Sequence, residues 1–184
     1  MIPSIQDCFS LMKKYEMLSN IKDHSCVVAR IAKLIASNLV ENGVDISIEK
    51  TVSGALLHDI AKTYCIKHRN DHSSLGRYIC MIEDCSELAE IVGEHVILSN
   101  VTYNGSLKEK EIVYYSDKRV MHDSIVSIVE RRDDLVVRYG EKFKNASEII
   151  RENFEICRKI EQKIFVNLGF EPGNISNLVE DIIL

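Results

Sequence analysis

The chain has 184 residues, 46 % of them hydrophobic and 28 % charged, with a formal net charge of −5. That length accommodates one core of ordinary size, and the negative balance excludes the basic footprint of a duplex nucleic-acid binder. Two prolines, eight glycines and many Ile, Leu, Glu and Lys residues favour helix throughout.

No run of about 18 apolar residues occurs, so no membrane span is expected. The opening MIPSIQDCFSLMKKYEM lacks the basic-then-apolar order of a signal sequence. Cys8, Cys26, Cys65, Cys80, Cys85 and Cys157 form no C-x-x-C pair, and the Cys80/Cys85 spacing does not match a zinc site. Buried free thiols in a reducing cytoplasm are the expectation.

In chain order, residues 4–18 predict a short helix. Asp23 is the expected N-cap of a long helix to about Glu41, with Val27, Val28, Ile31, Leu34, Ile35 and Leu39 as its stripe. Asn42-Gly43 ends it. Ser47 opens a helix expected to run through Lys62, with Val52, Ala55 and Leu56 inward, and residues 63–71 read as a loop. Asp71 caps a helix facing inward through Leu75, Ile79 and Ile82, and Ser86 begins another with Leu88, Ile91 and Val92. Residues 99–107 form a loop turning at Asn104-Gly105. A helix from Lys108 carries Ile112, Val113 and Tyr114; it either continues or kinks near Asp117 on its way to Tyr139-Gly140. A helix from about Asn145 to Leu168 and a last one after Glu171-Pro172-Gly173-Asn174 complete the chain. Residues 1–140 are expected to form an all-α domain, with 141–184 a helical extension packed on it.

The chemistry-bearing residues share one kind of address. His24, Asp59, His72, His95 and Asp117 each lie three, four or seven residues from the apolar positions of their own helix, so each is on a core-facing stripe. His58 adjoins Asp59 in the run Gly54-Ala-Leu-Leu-His-Asp-Ile-Ala-Lys62. Taken singly, each is an ordinary hydrogen-bonded core residue. Together they would need six separate buried partners, and inward basic residues to supply them are not evident. One or two shared cations satisfy them all. Histidine with carboxylate and no thiolate suits iron, manganese, cobalt, nickel or zinc, with magnesium at a labile position. Asp59 is the natural bridging carboxylate, and a two-metal site generates hydroxide at neutral pH.

The ordered set His24, His58-Asp59, Asp117 resembles the defining pattern of the HD-domain metal-dependent phosphohydrolases. ALLHDIAK is close to the second motif of that family, and Tyr114-Tyr-Ser-Asp-Lys-Arg119 resembles its last; the likeness covers about residues 15–135. The resemblance implies an all-α bundle with His24, His58, Asp59 and Asp117 on one metal. It further implies, by likeness to the dimetal branch, that His72 and His95 hold a second ion with Asp59 bridging. Lys62 then contacts a substrate phosphate and is counted with Asp59 as catalytic. Lys118 and Arg119 are further phosphate-binding candidates, with a plain charged helix surface as their alternative.

His68 is expected to be exposed, and His122-Asp123 to be surface or supporting groups. The chain lacks the Glu-Asp pair of the alarmone hydrolases and the Gly-Tyr-Pro signature of the cyclic-di-GMP branch. The expected activity is hydrolysis of a phosphate mono- or diester of a small molecule, a nucleotide first, by metal-activated hydroxide. A cytoplasmic setting, no membrane, no duplex nucleic acid and an open question of homodimerisation go with it. A di-iron oxygenase and a non-catalytic nucleotide-binding module are the alternatives.

Overall fold

The computed structural model describes residues 1–184. The chain is all-α apart from one two-stranded hairpin. Helix α1 (Ile5–Lys14) begins at Ser4, whose hydroxyl accepts from the Asp7 N–H while the Asp7 carboxylate accepts from the Ser4 N–H.

Helix α2 (Ser19–Glu41) starts one turn before the expected cap. Asp23 lies inside the helix, and Leu18 precedes it without a side-chain cap. The first turn is anchored by a tertiary bond instead, the Leu18 N–H donating to Thr63 Oγ1 at 3.0 Å. Ile21, Val28, Ile31, Ile35 and Leu39 form its buried stripe, and His24 lies on it.

Helix α3 (Ile48–Leu57) is capped by Ser47, as its sequence predicts, but stops five residues short of Lys62. Beyond Leu57 the chain tightens, with Ile60 N–H bonding Leu57 O and Lys62 N–H bonding Asp59 O. The expected loop at 63–71 is mostly helix α4 (Lys62–His68), which Arg69 ends in the left-handed region at φ 57°. Helix α5 (His72–Ile82) is capped by Asp71, which accepts from the N–H groups of Ser73 and Ser74. Ile79 is buried there, but Ile82, expected inward, is exposed in the last turn. A 3₁₀ turn, Ser86–Leu88, leads into the short helix α6 (Ala89–Glu94).

Helix α7 (Glu109–Lys118) does not continue toward Tyr139. A hairpin interrupts it, β1 (Val120–Met121) against β2 (Ser124–Ile125), with Val120 opposite Ile125 and Met121 opposite Ser124. His122 takes φ 58° at its turn. Helix α8 (Ile128–Tyr139) then starts from a Ser127/Glu130 capping box. Helix α9 (Ala146–Phe165), a 3₁₀ turn (Pro172–Asn174) and helix α10 (Ile175–Leu178) follow.

Helices α2, α3 and α7 pack on one another at the centre, α5 pairs with α6 beside them, and α9 packs on α7 and α8. A single apolar cluster runs from Cys8 to Val179 and includes Phe154, Cys157, Ile160 and Ile164 of α9. No helix is long and apolar enough to cross a membrane.

The α3–α6 contact depends on Gly54. A Cβ there would meet Ile91 Cγ2 at 2.7 Å and Ile91 Cβ at 3.3 Å, a β-branched neighbour with little freedom to yield. Gly54→Ala is expected to lose stability by about 1–2 kcal/mol, overpacking outweighing the helix gain. An unchanged or raised urea midpoint would show that the α3–α6 seam can open at no cost.

Candidate metal centre

Two histidines of the centre sit where helices end. His58 follows the last residue of α3, and His95 follows the last residue of α6. The last four carbonyls of a helix have no intrahelical N–H to accept. Here an imidazole supplies one: His58 Nδ1 lies 2.6 Å from Ala55 O, and His95 Nδ1 lies 2.6 Å from Val92 O. A carbonyl only accepts, so each ring carries a proton on Nδ1 and turns Nε2 inward. His24 on α2 does the same through Nδ1, 2.8 Å from the carbonyl of His122 in the hairpin turn. Rings held in this way by a second partner are the usual preparation of metal ligands.

The Nε2 atoms converge on two carboxylates. His24 Nε2 is 3.1 Å from Asp117 Oδ1, and His58 Nε2 is 3.6 Å from the same oxygen and 3.4 Å from Asp59 Oδ2. The other Asp59 oxygen, Oδ1, is 3.3 Å from His72 Nε2 and 3.5 Å from His95 Nε2, and those two nitrogens are 3.1 Å apart. Ligand atoms of His24, His58 and Asp59 lie within 4.8 Å of one another, as do those of Asp59, His72 and His95. An ion about 2.1 Å from each ligand sets neighbouring donors about 3.0–3.4 Å apart, close to these spacings.

The donors fit a cation on a second ground. His58 Nε2 and Asp59 Oδ1 are buried with no hydrogen-bond partner. Each such orphan costs about 1–3 kcal/mol, and more when charged. A cation between the rings and the carboxylate satisfies both atoms.

Electrostatics prepare the same outcome. Burial acts to raise the Asp59 carboxyl, but His58 and Lys62 beside it outweigh burial and hold it well below the usual carboxylate range. Asp117 is likewise held down against burial, by Lys118 and His24. Burial opposes the protonated His58 ring, yet Asp59 and then Asp117 prevail and raise its pKa. A proton on His58 and a metal cation thus answer the same carboxylates and compete. Burial pushes His95 down to about 4, so that ring is neutral at neutral pH.

The remaining predicted residues fall into two groups. Lys62 Nζ is 2.6 Å from Asp59 Oδ2, and its side chain is 35 % exposed, so it borders both the centre and solvent. Lys118 is buried at the centre, bonded to Asp117 Oδ2 and His95 O. Arg119 is not brought to the centre: its buried guanidinium donates to Val126 O, Tyr115 Oη and Pro172 O, tying the hairpin and the C-terminal segment to α7. Neither a charged helix surface nor an open phosphate contact describes these two residues. The His68 ring is exposed as expected, stacked on Tyr64 with centroids 4.2 Å apart. The exposed His122 serves His24 through its backbone carbonyl. That carbonyl, Ala55 O and Val92 O carry no side-chain signature; the hint in the sequence was an apolar residue three before each of His58 and His95.

A family model for the HD domain matches residues 21–168. The chain belongs to the HD-domain family. Neither a curated protein nor a solved structure matches it. HD domains are generally metal-dependent phosphohydrolases that bind divalent cations, and the His/Asp cluster of this HD domain could hold a metal.

In the chelator-treated HD domain, His95 gives a pH signature. Its pKa lies near 6.5 unfolded and about 4 folded, so the unfolded chain binds the extra proton between those values. The His95 contribution is complete above pH 6.5 and falls by about 3 kcal/mol as pH drops toward 4. His58, with its pKa raised, contributes below 6.5 and loses its contribution only above that, so the two windows are separate. Thermal unfolding of His95→Asn should show a flatter profile across that acid window; an equally steep one would contradict a neutral His95.

Proposed function

We propose that this HD domain is a two-metal phosphohydrolase acting on a phosphate mono- or diester of a small molecule, with nucleotides as the first class to test. The observation that carries the reading is the division of Asp59, one oxygen toward His58 and the other toward His72 and His95. In this reading His24, His58, Asp59 and Asp117 hold one ion, and Asp59, His72 and His95 hold the other. The donor set suits iron, manganese, cobalt, nickel or zinc. Residues 1–140 supply every ligand, and residues 141–184 brace them.

Charge supports an anionic substrate. Lys62 and Lys118 balance Asp59 and Asp117, so a bound divalent cation adds charge that only anions can answer. A cation bound there supplies Lewis acidity at a phosphoryl oxygen and hydroxide at neutral pH. Lys62 is placed to hold a phosphoryl oxygen, because its partially exposed ammonium has donors to spare beyond Asp59. With the ions bound, Asp59 would orient the hydroxide they supply. The buried rings of His24, His58 and His95 keep their lone pairs aimed through backbone carbonyls that do not titrate.

Full-length protein stripped with chelator and reloaded with Mn²⁺ or Fe²⁺ should release phosphate from a panel of nucleotide esters and retain two ions per chain. Asp59→Asn is expected to cut turnover by about a thousandfold or more, since it weakens both half-sites. Lys62→Ala should lower kcat by about 10–100-fold while leaving metal content intact. Hydrolysis undiminished in Asp59→Asn would sink the mechanism. Oxygen uptake by the iron-loaded protein without phosphate release would move the reading to a di-iron oxygenase.

A further inference from the structure

Lys118 is a charged group at the centre whose donors are engaged within the protein. Its side chain is 5 % exposed. Nζ donates to His95 O at 2.7 Å and to Asp117 Oδ2 at 3.0 Å, and it lies 4.5 Å over the Tyr114 ring. One ammonium therefore touches a carboxylate of the first half-site and the backbone of a ligand of the second.

A second bond continues the brace. The Tyr114 hydroxyl lies 2.8 Å from both the backbone and the side-chain oxygen of Asn153 on α9, its one proton shared between them, and Asn153 Nδ2 donates to Val96 O at 2.9 Å. The two successive carbonyls after α6 are thus tied, His95 O to α7 and Val96 O to α9. The Asp117 contact has its own consequence. With Oδ2 taken by Lys118, Oδ1 alone is left facing His24 and His58.

We propose that Lys118 is a positioning residue that couples the two half-sites: it fixes Asp117 as a one-oxygen ligand and holds His95 in register with it, while Asn153 steadies the His95 side alone. The inference rests on the two-metal reading. A buried ion pair is often no more stable than an apolar side chain of equal length, so stability alone gives no reason for a lysine here. What an apolar side chain lacks is a donor that reaches both His95 O and Asp117 Oδ2.

The test is Mn²⁺ titration of the chelator-stripped full chain by calorimetry, with EPR of the loaded protein. Wild type should bind two ions and give the exchange-coupled signal of a neighbouring pair. Lys118→Met should keep the wild-type circular dichroism and cooperative unfolding, weaken both ions by about tenfold or more, and lose the coupled signal. Asn153→Ala should weaken one ion and spare the other. Lys118→Gln, whose amide ends one bond short of the ammonium and so does not span both oxygens, takes the place of Lys118→Met if that variant does not fold, with the same losses expected. Two ions bound by the Lys118 variants with unchanged affinities and coupling overturn this inference alone. A wild-type chain that takes up fewer than two Mn²⁺ overturns the two-metal reading, and this inference with it.

Discussion

The Asp59 carboxylate sets the terms for the rest of the molecule. It is 1 % exposed, and a buried carboxylate stays charged only where cations and donors surround it. Lys62 takes one oxygen, while His58 on one side and His72 with His95 on the other stand within 3.5 Å. Four segments of chain must meet there: the end of α3, the start of α4, the start of α5 and the end of α6. Gly54 and Gly76 permit that meeting, since a Cβ at Gly76 would stand 2.7 Å from Val92 Cγ1. The α3–α6 and α5–α6 contacts are therefore part of the site's construction as much as of the core's.

Helix ends, more than helix faces, aim the ligands. His58 and His95 occupy the position after a terminated helix, where an unpaired carbonyl three residues back orients the ring. His72 opens α5, and Asp117 lies in the last turn of α7. Backbone at such points is fixed by the adjoining helix yet free of its hydrogen-bond ladder, so side chains can be set without straining the helix.

Most of the fold was legible in the sequence because helix periodicity is local. The stripe of α2, the Ser47 and Asp71 caps and the loop at 99–107 follow from neighbours within a turn or two. The misses share a tertiary origin. Asp23 looked like a cap, but the start of α2 is set by Thr63, forty-five residues away. Helix α3 stops before Lys62, and Ala55 O is taken by an imidazole three residues on. The hairpin at 120–125 is too short for a period-two pattern to register. For the centre, the residue types and their inward faces were readable. The division of Asp59 between two histidine sets, and the burial of Lys118 and Arg119, depend on how helices cross, which periodicity does not encode.

The hairpin turn gives the molecule an uneven tolerance to change in chain length. The loop at 99–107 supplies no ligand and no carbonyl to a ligand's ring. The first strand of the hairpin, by contrast, stands between Asp117 and the His122 carbonyl that orients His24. One added residue there would reverse the alternation of the strand and turn that carbonyl away. Residues added in the loop at 99–107 would leave the ligand set where it is, whereas a residue added between α7 and α8 would reach the metal centre through His24.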